Sequence, residues 1–240
     1  MSVVPKTAEA HALPREERRG VYRAIHERRD VRSNFLPADI PDVILARLLD
    51  AAHHAPSVGF MQPWNFIVIR DRGVRAAVRD AFLQERVRAA ALYEEPRRSQ
   101  FLALKLEGIL DAPVNLCVTC DPTRGGLHVL GRSAIPETDV YSTCCAVQNF
   151  WLAARAEGIG VGWVSIVQPG QLKRILSIPA PVIAVAYLCV GFVSDFSDTP
   201  DLERAGWRHR LSLADLVFED QWGRPETRLG AAFAARGEDR

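Results

Sequence analysis

The sequence predicts an α/β or α+β fold, a sheet with helices on its faces followed by an extended C-terminal arm. Three observations carry this. Runs rich in β-branched and aromatic residues, at 65–69, 114–120 and 182–193, read as strands. Between them lie segments whose apolar residues recur at helical spacing, the pattern of helices laid on a sheet. Helix 139–157 is apolar around most of its circumference, with Val140, Cys144, Val147, Phe150, Trp151 and Ala154 on one side. Such a helix belongs inside a core or at a subunit interface.

The elements follow in order. Residues 1–14 read as a loosely packed leader, 15–225 as a single domain and 226–240 as a tail. A charged helix over 15–29 points Val21, Tyr22 and Ile25 inward, and the chain breaks from Asp30 to Pro37. Pro41 opens a second helix in its first turn, where a missing N–H costs nothing. Ile44, Leu45, Leu48, Leu49 and Ala52 form its apolar face, and Pro56 ends it. Strand 65–69 leads to an amphipathic helix over 72–92 and another over 99–110. After strand 114–120, the glycines and proline of 121–138 mark a long loop, a length usually kept for function or motion. Gly158 stops helix 139–157. A short strand at 161–165, a short helix at 169–176 and strand 182–193 complete the domain. Leu211, Leu213, Leu216, Val217, Phe218 and Trp222 then make an apolar arm suited to packing on a partner subunit.

Composition excludes several classes. With 48% hydrophobic and 25% charged residues, the chain has the balance of a globular protein. A formal net charge of +1 with scattered basic residues gives no footprint for nucleic acid. No apolar run approaches the roughly 18 residues of a membrane helix, and residues 1–13 offer no signal peptide. Five cysteines without a scaffold pattern point to a reducing, cytoplasmic compartment. Cys117 and Cys120 fall three apart on a strand and so face opposite ways, which suits core packing rather than a shared metal or disulfide. Cys144 and Cys145 read as small core residues of their helix. No metal site is expected.

Two segments carry chemistry. Arg28, Arg29 and Arg32 enclose Asp30 and Val31 at a helix end, and guanidinium forks match phosphate oxygens two bonds at a time. The same run also suits a solvated helix end pairing with Glu17 or Glu27. The second segment, Ala55 to Trp64, offers Ser57, Gly59, Met61 and Gln62 in a loop whose backbone can meet the edge of a planar heterocycle. It also suits an ordinary helix-to-strand turn. The glycines of 158–162 follow a helix and enter a strand, the reverse of a dinucleotide fingerprint, so no tightly bound NAD is expected.

Taken in order, the Arg-Arg-Asp-Val-Arg run, the helix Leu48-Leu49-Asp50-Ala51-Ala52, the Pro56-Ser57…Gln62-Pro63-Trp64 loop, Gly158 to Trp163 and the late Arg208-His209-Arg210 run resemble the nitroreductase family of FMN enzymes. The resemblance covers about residues 20 to 220. It implies an α+β, nitroreductase-like fold with a mixed central sheet flanked by helices, in an intertwined homodimer with FMN at the interface. Arg28, Arg29, Asp30, Val31, Arg32, Ser57, Gly59, Met61, Gln62 and Ser165 would be in contact with the cofactor, and Arg208 and Arg210 would complete the phosphate clamp.

Two departures sharpen this. Asp30 stands where ordinary members more often carry serine, and Phe60 where many carry an asparagine that contacts the flavin. With Ser-Val-Gly-Phe-Met-Gln-Pro-Trp at 57–64 and Gly-Trp-Val-Ser at 162–165, these features resemble the branch that makes 5,6-dimethylbenzimidazole, the lower ligand of cobalamin. That resemblance implies O₂-dependent fragmentation of reduced FMN, with reducing equivalents from NAD(P)H arriving through a separate flavin reductase. Asp30 would be the base at the ribityl C1′ carbon, and Ser165 would hydrogen-bond near flavin N5. Phe60 and Trp64 would help keep water out. Asp30, flanked by Arg29 and Arg32, is expected to stay ionised, though it also suits a salt-bridge partner that merely positions an arginine. The alternative is an NAD(P)H-dependent FMN nitroreductase or flavin reductase that returns its flavin intact.

Overall fold

The structure, a computed structural model, describes residues 11–225, 228–230 and 233. Residues 1–10 of the expected leader, and most of the expected tail, lie outside them. By contacts the chain divides into two compact units, Met1–Asp198 and Thr199–Arg240, within the span that the sequence takes as one domain.

The first unit begins with α1 (Arg15–Glu27) and α2 (Asp42–His53), then β1 (Trp64–Ile69). Helix α3 (Arg72–Ala90) starts at Asp71, whose carboxylate accepts from the Val74 N–H at 2.8 Å and caps the first turn. The short α4 (Arg97–Ala103) precedes β2 (Val114–Cys120). Then come α5 (Thr138–Ala156), β3 (Ile159–Val164), α6 (Pro169–Ile175) and β4 (Ile183–Phe192). The expected helix over 99–110 is short because local bonds compete with it. Glu107 accepts from the Ile109 N–H at 2.7 Å, and Lys105 pairs with Asp111 at 2.8 Å.

The strands form one sheet in the order β1-β2-β4-β3, and all three named pairs are antiparallel. The parallel component of the expected mixed sheet is a single bridge, Asp30 to Val161. The sheet is packed on both faces, so all seven residues of β2 are buried. Leu116 and Val118 face a layer built from Leu45 and Leu48 of α2 and Val147 and Phe150 of α5. Cys117 faces the opposite layer with Val78, Phe82 and Tyr187. The period-2 alternation of a strand therefore separates Cys117 from Cys120, as the spacing required. Burial pushes the Cys117 and Cys189 thiols up to about 12, which leaves them inert core residues.

One expected inward face and one expected core thiol turn outward. Helix α1 buries no residue, and Val21, Tyr22 and Ile25 are 49%, 57% and 42% exposed. On α5 the buried side begins with the polar residues Thr138, Asp139, Ser142 and Thr143, so Tyr141 and Cys145 are exposed. Cys145 is thus a surface thiol, not the core residue that the sequence suggests.

The second unit contains α7 (Asp201–Arg204) and a 3₁₀ turn, Leu213–Leu216. Its apolar residues are largely uncovered, with Leu211 69% and Trp222 92% exposed. Among the described residues no helix is long and apolar enough to cross a membrane.

Candidate active site

The chain leaves α1 and runs extended along the edge strand β3. The Val31 N–H donates to the Val161 carbonyl at 2.9 Å. This brings Asp30 over the β3 backbone, where its carboxylate is held from two sides. Oδ1 accepts from the Trp163 N–H at 2.9 Å, and Oδ2 accepts from the Arg32 guanidinium. The side chain is 29% exposed. Burial pushes the carboxyl above the ordinary aspartate range, against the pull of Arg32, the Trp163 N–H and Arg28. This corrects the sequence argument in two respects. Desolvation outweighs the cations, and the second cation acting on Asp30 is Arg28 rather than Arg29.

The three arginines divide their work. Arg29 donates to the carbonyls of His26, Arg28 and Asp198, so its guanidinium braces the backbone. Arg28 lies over the Trp151 ring at 4.7 Å, and the Trp151 indole donates to the Arg29 carbonyl at 3.2 Å. Arg32 is buried against Asp30, and its Nε, like that of Arg29, has no hydrogen-bond partner. Glu27 does not neutralise the run. It accepts from Arg23 and Arg155 instead, and its carboxyl is held below the usual range chiefly by Arg23. Three guanidinium groups around one carboxylate leave the segment electropositive, with buried donors that lack acceptors. An anionic ligand fits it.

The close approach depends on glycine. A Cβ on Gly162 would meet the Val31 carbonyl oxygen at 1.9 Å. The glycine run from 158 to 162 therefore serves chain packing as well as turning, a role invisible in the sequence.

The second segment folds back on itself. Ser57 Oγ accepts from the Gln62 N–H at 3.1 Å, and Ser142 Oγ of α5 accepts from the Val58 N–H at 3.2 Å. Gly59 sits at φ +59°, where an added Cβ would strike Val129 and the Leu130 carbonyl of loop 121–137. Gln62 is half-buried at φ +47°, and Met61 is buried. Phe60 is 81% exposed. Trp64 is a core residue whose indole donates to His53 Nδ1 at 3.1 Å. Trp64 thus lies in the core, while Phe60 lies on the surface of the first unit.

Two arginines missed in the sequence stitch the long loop to this segment. Arg124 donates to the carbonyls of Gln62 and Trp64, both at 3.0 Å. Arg132 pairs with the buried Asp139 at 3.0 Å and donates to the carbonyls of Gly126 and Arg124. Arginines inside a glycine-rich loop gave no motif to recognise; only their carbonyl partners reveal them. Breaking the buried pair leaves Asp139 without its cation. Arg132→Met is therefore expected to let limited proteolysis cut within 121–137 several-fold faster than in the unsubstituted protein, with the rest of the chain resistant.

Ser165 is exposed just beyond β3, at the lip of a cavity of about 260 Å³ lined also by Trp163, Leu172 and Ala184 to Tyr187. It lies two residues past the Trp163 N–H that holds Asp30, roughly 7 Å of extended chain. The Asp30 and Ser57 segments touch opposite parts of α5, at Trp151 and Ser142, roughly 14 Å apart along its axis. Arg208 and Arg210 are exposed in the second unit and line a pocket there with Glu203, His209 and Leu211. The acidic residues near them have other partners, Asp201 with Arg204 and Glu203 with His209.

Residues 25–192 match the nitroreductase family profile. The chain belongs to the nitroreductase family. Within it, the chain is 44% identical over 183 residues to the 5,6-dimethylbenzimidazole synthase of Rhodospirillum rubrum, spanning 76% of this chain and 86% of that one. Among solved nitroreductase-fold structures, a BluB-like flavoprotein from Clostridium difficile 630 aligns at a TM-score of 0.63 and 18% identity, over 84% of this chain and 99% of that one. An iodotyrosine deiodinase bound to FMN and 3-iodo-L-tyrosine aligns at 0.63 and 19%, over 74% and 91%. At those identities the two structures establish the nitroreductase fold. The family is one of flavin oxidoreductases.

Proposed function

We propose that this nitroreductase-family enzyme uses O₂ to fragment reduced FMN to 5,6-dimethylbenzimidazole, the lower ligand of cobalamin. The observation that carries the reading is a carboxylate, Asp30, fixed at both oxygens inside an arginine cluster. A site built only to bind a phosphate gains nothing from that charge. The relatives named as dimethylbenzimidazole synthases support it.

Arg28 and Arg32 would hold the phosphate of FMN, with Arg29 and Val31 setting their backbone. Arg208 and Arg210 would add to the clamp. Ser57, Gly59, Met61 and Gln62 would present their backbone to the ring. Bound reduced FMN supplies the electrons for O₂ and the carbon skeleton of the product. Asp30 accepts the proton at the ribityl C1′ carbon. Two anchored oxygens keep its carboxylate from rotating, so its remaining lone pairs stay aimed. Ser165 donates its hydroxyl near flavin N5. A homodimer would cover the apolar stripe of α1 and the exposed Tyr141 of α5, and would let segments that lie far apart on α5 serve one ligand. Reduced FMN would come from a separate NAD(P)H-dependent flavin reductase in a reducing cytoplasm.

Trp151 should tune the clamp. Trp151→Leu removes the ring beneath Arg28, an interaction worth about 1 kcal/mol, and should weaken FMN binding about fivefold by fluorescence titration. Trp151→Phe, which keeps a ring but loses the indole N–H, should fall between. The proposal itself is tested by mixing the FMN-loaded protein with NADPH, a flavin reductase and air. Flavin absorbance should decline irreversibly. Return of the same oxidised spectrum through repeated cycles would mark an ordinary reductase instead.

A further inference from the structure

A second polar site lies where the first turn of α2 meets α3 and the start of β2, sharing no lining residue with the Asp30 site. It is a cavity of about 590 Å³ lined by Asp39, Ile40, Pro41, Asp42, Arg70, Arg75, Pro113 and Val114. Arg75 is 8% exposed, and among the described residues no carboxylate lies within 4 Å of its guanidinium. Of its five N–H donors only Nη1 is matched, to the Ala112 carbonyl, and Nε is buried with no partner at all. A guanidinium cannot shed its charge, and buried charges ordinarily find a counter-ion. The nearby Tyr187 phenol does not supply one. It donates to Asn115 Oδ1 at 3.1 Å, and burial raises its pKa, so it stays neutral. Arg70 and Asp42 neutralise each other across 2.6 Å.

We propose that this cavity binds a small organic anion bearing one carboxylate, with Arg75 as its fork. The charge count sets the valence: one guanidinium without a paired carboxylate shares the cavity with one exposed carboxylate, Asp39, which repels a multiply charged ion such as phosphate. The walls set the body. Ile40, Pro41, Pro113 and Val114 are apolar, as in pockets that enclose the hydrocarbon part of a ligand.

The test is calorimetric titration of the FMN-loaded protein with cyclohexanecarboxylate, inorganic phosphate and the neutral cyclohexylmethanol. The carboxylate should bind, and both comparison compounds should bind at least about tenfold more weakly. Arg75→Met should weaken the carboxylate about tenfold or more, and Asp39→Lys, an exposed substitution that leaves the core intact, should tighten it severalfold. If Arg75→Met fails to fold, the Asp39→Lys result decides. Absence of carboxylate binding, phosphate binding as tightly, or an affinity indifferent to Asp39→Lys would each overturn the proposal and leave the fork to water.

Discussion

Asp30→Asn should leave FMN bound and slow dimethylbenzimidazole formation by about 10²- to 10⁴-fold, the usual contribution of a positioned base. The amide keeps an oxygen to accept from the Trp163 N–H, so the backbone of 30–31 should stay on β3. It loses basicity and loses the one negative charge beside the arginines, so FMN affinity should hold or rise. A residue that only positioned Arg32 would show the opposite pattern, weaker FMN binding with little change in turnover of bound FMN. The pH profile adds a second readout. Because burial raises the Asp30 pKa, the carboxylate gives way to the neutral acid at a higher pH than an ordinary aspartate. Product formation should therefore fall on acidification through a limb lying above the usual carboxylate range, and that limb should be missing in Asp30→Asn. The stability sign is the reverse. A raised folded-state pKa favours the protonated form, so the stability that Asp30 contributes is present at low pH and lost as pH rises through its folded value. The activity optimum thus lies on the side where this residue strains the fold.

Gly162→Ala is expected to be the most destabilising single-methyl change near the site. The added Cβ would lie 1.9 Å from the Val31 carbonyl oxygen, and that atom belongs to backbone that cannot rotate aside. Either β3 or the segment 30–31 must move. An overpacking cost of about 3 kcal/mol corresponds to a fall in Tm of roughly 6–12 °C in a chain of this size. Since the moving segment carries Asp30 and Arg32, FMN affinity should fall with it. Thermal melts with and without FMN separate the two effects: the ligand-induced rise in Tm should shrink, not merely shift. An unchanged melting temperature and an unchanged FMN response would show that the strand edge tolerates displacement.

The sheet and its helices were legible in the sequence because periodicity reports burial. Strand 114–120 is mostly apolar with two valines and is buried on both faces, and the observed β2 has those bounds. The face of α1 was misjudged for the same reason in reverse. An apolar stripe says that a surface wants covering, not that its own chain covers it. At the site, the order of motifs marked the Arg28–Arg32 and Ser57–Gln62 segments, because charge and turn chemistry are local in sequence. The division of labour among the arginines was not legible. It depends on partners far along the chain, Trp151 for Arg28 and the Asp198 carbonyl for Arg29. The desolvation that raises the Asp30 pKa was not legible, because neighbouring charges can be counted in a sequence and burial cannot. Arg124 and Arg132 escaped notice because most of their acceptors are main-chain carbonyls, which carry no sequence signal.

The central claim is that the flavin is consumed. The most direct measurement is product analysis after a single aerobic turnover, with FMN bound to the protein, reduced anaerobically and then exposed to O₂ in the absence of any further reductant. The account predicts 5,6-dimethylbenzimidazole with matching loss of FMN in the wild type, and FMN recovered intact in Asp30→Asn. Full recovery of oxidised FMN from the wild type, with no dimethylbenzimidazole, would contradict it.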